Sequence, residues 1–194
     1  AATGLFMLAE PMLLTIFQRG EFTPQHATNA SYSLMAYSFG LLSFMLVKVL
    51  APGFYSRQDT KTPVKFGIWC MAANMLFNLI LVWPFDYVGL AMATSLSALM
   101  NALLLYGALH RQGVYIASSQ TITLIIKIVL ASILMGSVIF MLSPVAASWV
   151  DLSLVNKIFE LAKLISLGAT VFVFSLLILG VRKSTFSALK VVTK

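Results

Sequence analysis

The sequence predicts an all-α integral membrane protein, a bundle of about six transmembrane helices. Three observations carry that expectation. First, 60% of the 194 residues are hydrophobic and 10% are charged, against about 25% charged in an ordinary soluble domain. With a mean hydropathy of +0.94, the chain has too little polar surface to face water on all sides. Second, the apolar residues fall in runs near membrane length, divided by short polar stretches. Third, Lys and Arg are spread unevenly among those stretches.

The first run covers 2–17, within "AATGLFMLAEPMLLTIF". It is just long enough to span, and Pro11 is placed to kink it. The chain opens on Ala1 with no signal peptide, which predicts a C-terminal piece of a longer protein. In "QRGEFTPQHA", Arg19 and Glu21 flank Gly20 as turn chemistry. The second run, 28–50, is expected to stop at Pro52-Gly53. A charged stretch follows, and the third run, 63–83, begins at Pro63, a residue suited to a first helical turn. "PFDY" makes a tight connection to the fourth run, 88–109. "HRQGVYIASSQ" leads to the fifth, 121–142. The sixth, 157–181, is preceded by Asp151 and Ser153 as candidate N-caps and followed by a basic tail. Trp69, Trp83, Tyr87, Tyr106, Tyr115 and Trp149 lie near span ends, as an aromatic belt requires.

The net charge of +7 would suggest nucleic acid in a soluble chain. Here the basic residues border apolar runs, so they report topology and no nucleic-acid partner is expected. Eight of them, Arg57, Lys61, Lys65, Arg111, Arg182, Lys183, Lys190 and Lys194, occupy alternate connections and the tail. The opposite side holds Arg19 and, at a margin, Lys157. Positive-inside then places the loop at Arg57, the loop at Arg111 and the C-terminus in the cytoplasm.

No catalytic set is visible, and an enzyme is not expected. There is no Ser/His/Asp arrangement, no carboxylate pair within a span and no Gly-rich phosphate loop. Cys70 is the single cysteine, with no metal-ligand spacing around it, and His26 and His110 lie far apart in connecting segments.

The informative residues are those that are costly in lipid. Asn74 and Asn78, four apart, share a face that Gly67 and Cys70 or Met71 extend. Thr94, Ser97 and Asn101 form a second stripe on the next span, and a short connection makes the two spans antiparallel neighbours. Paired stripes read as interhelical hydrogen-bond glue, or as a polar site for a cation or substrate group. Lys48, near the cytoplasmic end of the second span, either snorkels to the headgroups or faces a water-filled cavity and binds an anionic group. Lys127 has the same two readings, with snorkelling favoured. Glu160 and Lys163 are spaced to pair at an interface, and Glu10 is either partnered in the bundle or close to water.

The strings "IFQRGEFT", "LVKVLAPGFYSRQDTKTPVK", "NMLFNLILVWPF" and "VGLAMATSLSALMNALLLY" resemble the C-terminal half of the MurJ (MviN) family of bacterial lipid II flippases. That family belongs to the multidrug/oligosaccharidyl-lipid/polysaccharide exporter superfamily. The resemblance is strong over roughly the first 115 residues. It implies a 14-helix exporter fold of two lobes around a central cavity. Residues 1–110 would be part of the second lobe, spans nine to twelve, and 111–194 two additional C-terminal helices with a basic tail. The cavity arginines of the family lie mostly in the N-terminal lobe, so Lys48 and Arg57 are the substrate or cavity candidates here. Some relatives hold sodium with an Asn, an Asp, a Thr and a backbone carbonyl, and the matching positions are Asn74, Asn78, Thr94 and Leu90. Asn78 stands where the aspartate would be, which removes a formal charge from a hard-cation site. The last two helices are implied to line a lateral groove for a lipid tail, and their small interruptions are Ser132, Gly136, Ser166 and Gly168.

The implied function is flipping of lipid II across the bacterial cytoplasmic membrane by alternating access, as a multi-pass inner-membrane protein with a cytoplasmic C-terminus. Its partners would be the undecaprenyl-diphosphate-linked substrate, membrane lipids and the N-terminal remainder of the transporter. No organic cofactor is expected, and coupling would come from sodium or the membrane potential. The alternatives are an exporter of drugs or polysaccharide-lipid, with an aromatic and less basic cavity, and a non-transporting scaffold of cell-wall assembly, with a closed apolar interface.

Overall fold

The computed structural model describes residues 1–18, 23–113, 119–143, 149 and 152–181. The described residues are almost wholly α-helical: α1 (Ala2–Met7), α2 (Ala9–Phe17), α3 (Pro24–Tyr55), α4 (Lys61–Arg111), α5 (Ser119–Leu142) and α6 (Leu154–Ile178). Four of these, α3 to α6, contain stretches long and apolar enough to cross a membrane. The protein is an all-α, multi-pass membrane fragment. It divides into two compact units, Ala1–Ile116 and Ala117–Lys194.

In the first unit, the run 2–17 is helical but broken at Leu8 (φ −102, ψ 11), which separates α1 from α2. The break lies just upstream of Pro11. A proline has no N–H to offer the carbonyl four residues back, and its ring crowds that carbonyl, here that of Met7. Thr15 Oγ1 donates to the Pro11 carbonyl at 2.6 Å. Phe6 packs edge-on against Phe39 with ring centroids 5.3 Å apart, which pins α1 to α3.

Helix α3 starts earlier and ends later than the sequence suggests. Thr23 is its N-cap, the hydroxyl accepting from the His26 amide at 3.4 Å, and Pro24 follows in the first turn. His26 is therefore helical, not in a connecting segment. At the other end the helix runs through Pro52 to Tyr55. Packing holds it there. Leu50 and Phe54 are buried with Leu105 and Leu109 of α4, and Gly53 admits the Leu109 side chain, 3.2 Å from where a Cβ would stand.

Helix α4 consists of two helical arms that meet at a reversal at Asp86 (φ 48, ψ −129). Pro84 loosens the ladder just ahead of it. The arms 61–85 and 87–111 then run antiparallel: Gly89 lies against the backbone of Leu81, and Asn74 is bonded to Ser97. Each arm has about 25 residues, or roughly 37 Å at ~1.5 Å per residue, enough for a hydrocarbon core of ~30 Å. The "PFDY" connection is thus a turn between two spans. At the start of α4, Asp59 Oδ1 accepts the Thr62 amide at 3.0 Å. Hydrogen bonds from Thr62 hold its carboxyl below the usual value of 3.8.

In the second unit, α5 and α6 pack as a pair. Gly168 sits under Ile139, whose Cδ1 would lie 2.8 Å from a Cβ at that position. Of the two candidate caps, Ser153 caps α6 by accepting the Asn156 amide at 3.4 Å, while Asp151 lies outside the described residues. The helix ends at Gly180 (φ +73), with Val181 N–H donating to the Leu176 carbonyl and Gly180 N–H to that of Leu177. Lys127 Nζ lies 4.0 Å from a Cβ built on Gly180, so its ammonium sits at the negative end of the α6 dipole. Lys163 and Glu160 pair at 3.3 Å on the exposed face. Trp149, expected at an interface, is instead fully buried. Trp69 and Trp83 are exposed, as a belt requires. Arg19, Glu21, Tyr115 and the tail from Arg182 lie outside the described residues.

Candidate functional site

The two polar stripes meet across the hairpin of α4. Asn74 donates its amide N–H to Ser97 Oγ at 3.0 Å, and Asn78 donates to Asn74 Oδ1 at 3.0 Å. Ser97 Oγ donates to the Thr94 carbonyl and Thr94 Oγ1 to the Leu90 carbonyl, both at 2.9 Å. The chain of bonds runs from one arm to the other. Its direct interhelical link is Asn74 to Ser97, and Thr94 takes part through its backbone.

Beside this chain lies a cleft of about 420 Å³. The first arm of α4 contributes Gly67, Cys70, Met71 and Asn74 to its wall. The second arm contributes Thr94, Ser97, Ala98 and Asn101, and α3 adds Phe44, Val47 and Lys48. Lys48 is the one charged side chain on this wall among the described residues. Asn101 Oδ1 is buried without a hydrogen-bond partner, as is Asn78 Oδ1 just outside the cleft. The site is therefore a mostly apolar cleft with a few amide and hydroxyl groups in its wall and one exposed lysine, Lys48, beside them. Such an arrangement can attract an anionic or acceptor-rich group.

The elements that position it are readable locally. Gly40 of α3 lets the helix approach α4 closely: a Cβ there would fall 2.6 Å from Ser95 Oγ, and Ser95 Oγ donates to the Ala36 carbonyl at 2.8 Å. This crossing sets α3, and with it Lys48, against the second arm. Pro52 then deprives the Lys48 carbonyl of its helical donor. Sequence reasoning passed over Gly40 and Ser95, because one small residue on each helix is a signal only once the helices are known to cross.

Arg57 is placed elsewhere. It is exposed in the α3–α4 connection and donates from Nη1 to Gln112 Oε1 at 3.2 Å, which ties the connection to the end of α4. The Leu90 carbonyl already accepts the Thr94 hydroxyl. Glu10 is partnered: Thr28 Oγ1 donates to its Oε1 at 2.8 Å. In the second unit, Gly136 and Gly168 are buried, Ser132 is half-buried, and Ser166 is exposed with its hydroxyl donating to the Lys163 carbonyl at 2.9 Å. Among the described residues no cluster of His, Cys, Asp and Glu is set to hold a metal ion.

Comparison with known proteins adds an independent line. Residues 1–160 match the family model described as lipid II flippase MurJ. The chain is 48% identical over 188 residues to the probable lipid II flippase MurJ of Vibrio cholerae serotype O1, covering 97% of this chain and 36% of that protein. It is 48% identical over 183 residues to the probable lipid II flippase MurJ of Haemophilus influenzae, covering 94% and 36%. It is 34% identical over 136 residues to the lipid II flippase MurJ of Burkholderia cenocepacia, covering 70% and 26%. The chain thus spans about a third of the length of the first two of these curated relatives.

Proposed function

The chain belongs to the lipid II flippase MurJ family, and from that premise we propose that it is the C-terminal part of a transporter that flips lipid II across the bacterial cytoplasmic membrane. Alternating access would give the polar headgroup a hydrated path while the polyprenyl tail stays in lipid. The reading needs positioning and charge, not covalent chemistry. Its partners are the lipid-linked diphosphate, the surrounding lipids and the N-terminal remainder of the same protein. The α3–α4 connection and the C-terminus face the cytoplasm, as the Lys and Arg distribution requires.

The observation that supports this most is Lys48 on the wall of a cleft that also carries Asn74, Thr94, Ser97 and Asn101. An ammonium kept at membrane depth is costly unless water or a counter-charge meets it. A diphosphate headgroup supplies that counter-charge. A closed apolar interface, the mark of a scaffold, would leave Lys48 with no role.

The test is Lys48→Ala in the full-length transporter, with outward exposure of newly made lipid II read by an externally added lipid II-cleaving enzyme. Exposure should fall several-fold at normal expression, and Lys48→Arg should retain most of it. Unchanged exposure in Lys48→Ala would return this residue to headgroup snorkelling.

A further inference from the structure

The resemblance implies sodium at Asn74, Asn78, Leu90 and Thr94, and the donor set here does not fit it. A hard cation wants several free oxygens, carboxylate by preference. Asn74 Oδ1 accepts from Asn78 at 3.0 Å, and the Leu90 carbonyl accepts from Thr94 at 2.9 Å. Both of these oxygens are engaged, which leaves Asn78 Oδ1 as the unpartnered side-chain oxygen of the implied set. No carboxylate lines the cleft among the described residues, and Asn78 brings none. The same cleft already carries a positive charge, that of Lys48.

We propose that the Lys48 ammonium is the resident cation of this cleft, tethered by its own side chain, and that it excludes sodium. A lysine ammonium is a compact point charge with three donors and no acceptor, on a flexible four-carbon stem. Lys48 is exposed beside the cleft, and from there its ammonium would swing onto the oxygens that would otherwise coordinate an ion. Asn101 Oδ1 is buried, unpartnered and in the same wall, and Asn78 Oδ1 is a second such oxygen just outside it. Thr94 Oγ1 donates to Leu90 and keeps its lone pairs for a second such bond. Two cations in one small cleft repel each other, whereas an ammonium and a row of oxygens do not.

The consequence for transport rests on the flippase reading, in which a fixed ammonium would exchange these oxygens for an anionic headgroup. The exclusion of sodium stands apart from it. The two are separated by testing binding without transport.

Thermal unfolding of the full-length protein in detergent is followed in sodium chloride and in choline chloride at equal ionic strength. The wild type should melt at the same temperature in both salts, and Lys48→Arg should do likewise. Lys48→Met combined with Asn78→Asp removes the tethered charge and supplies a carboxylate. That variant should gain a sodium-specific rise of roughly a few degrees, since a ligand that binds only the folded state stabilises it by mass action. A sodium-specific rise in the wild type overturns the proposal. So does a folded double variant that stays indifferent to sodium, because Lys48 would then not be what excludes the ion. If the double variant does not fold, the wild-type measurement decides alone. Loss of lipid II flipping with an unchanged salt response would count against the transporter reading and not against this one.

Discussion

Two single residues show how much depends on one hydrogen bond. Asn78 donates to Asn74, which in turn donates to Ser97 on the other arm. Replacing Asn78 with Leu leaves Asn74 Oδ1 without its donor. Interhelical polar contacts in membranes are worth about 1 kcal/mol or less, so Asn78→Leu should lower stability by roughly that amount. A melt in detergent reads it, and adding Ser97→Ala should cost less in the Asn78→Leu background than alone if the bonds act as one chain. Asp59 works outside the bilayer. Its bonds from Thr62 hold the folded pKa below the ordinary 3.8. A depressed carboxyl stabilises fully above its unfolded pKa and loses that contribution as pH falls through the folded one. The melting advantage of wild type over Asp59→Ala should therefore be constant near neutrality and fade below about pH 3.8. An advantage that persists undiminished in strong acid would show that Asp59 acts by shape and not by charge.

The elements are set by breakers and by close approach. Leu8 breaks ahead of Pro11, yet α3 passes through Pro52 because Leu50 and Phe54 are buried on either side of it. The hairpin of α4 depends on Gly89. Any side chain there would overlap the Leu81 carbonyl, while Gly107 on the same arm faces open space. Gly107→Ala should be neutral or gain up to about 1 kcal/mol from helix propensity. Gly89→Ala should lose about 1–3 kcal/mol or more, as overpacking does. Comparing the two by thermal melts isolates the turn, because both are glycine-to-alanine changes in one helical arm. Equal effects would mean that the arms do not approach as closely as the Leu81–Gly89 contact requires.

For the whole molecule, the testable property is orientation. The α3–α4 connection and the first turns of α4 hold Arg57, Lys61 and Lys65, and the connection before α6 is poor in cations. In a cysteine-free full-length background, with Cys70→Ser, a cysteine at Ser56 should resist a membrane-impermeant thiol reagent in intact cells. A cysteine at Ser153 should react, since the two positions are proposed to lie on opposite sides. Both serines are exposed, so burial does not confuse the result. Labelling of Ser56→Cys from outside would reverse the topology and with it the direction in which Lys48 opens.

The sequence by itself determined the class of molecule, because hydropathy and run length are properties of composition and need no contacts. It also determined that two polar stripes would meet, since spacings of three and four define a helix face and four residues of "PFDY" force the next helix alongside. It offered Ser153, with Asp151, as a cap, but left Thr23 and Pro24 in a polar loop because the apolar run begins later, whereas the structure starts α3 there. Tertiary structure decided the rest. It put Lys48 on the same cleft as Asn74, Thr94 and Asn101, and put Arg57 on Gln112 instead. It buried Trp149 and sent the Lys127 ammonium to the end of α6. The physical reason is the same in each case. Periodicity says which residues share a face of one helix, but a charged or aromatic side chain is placed by what crosses that face. That crossing is set by small residues such as Gly40 and Ser95, which carry no signal until two helices touch.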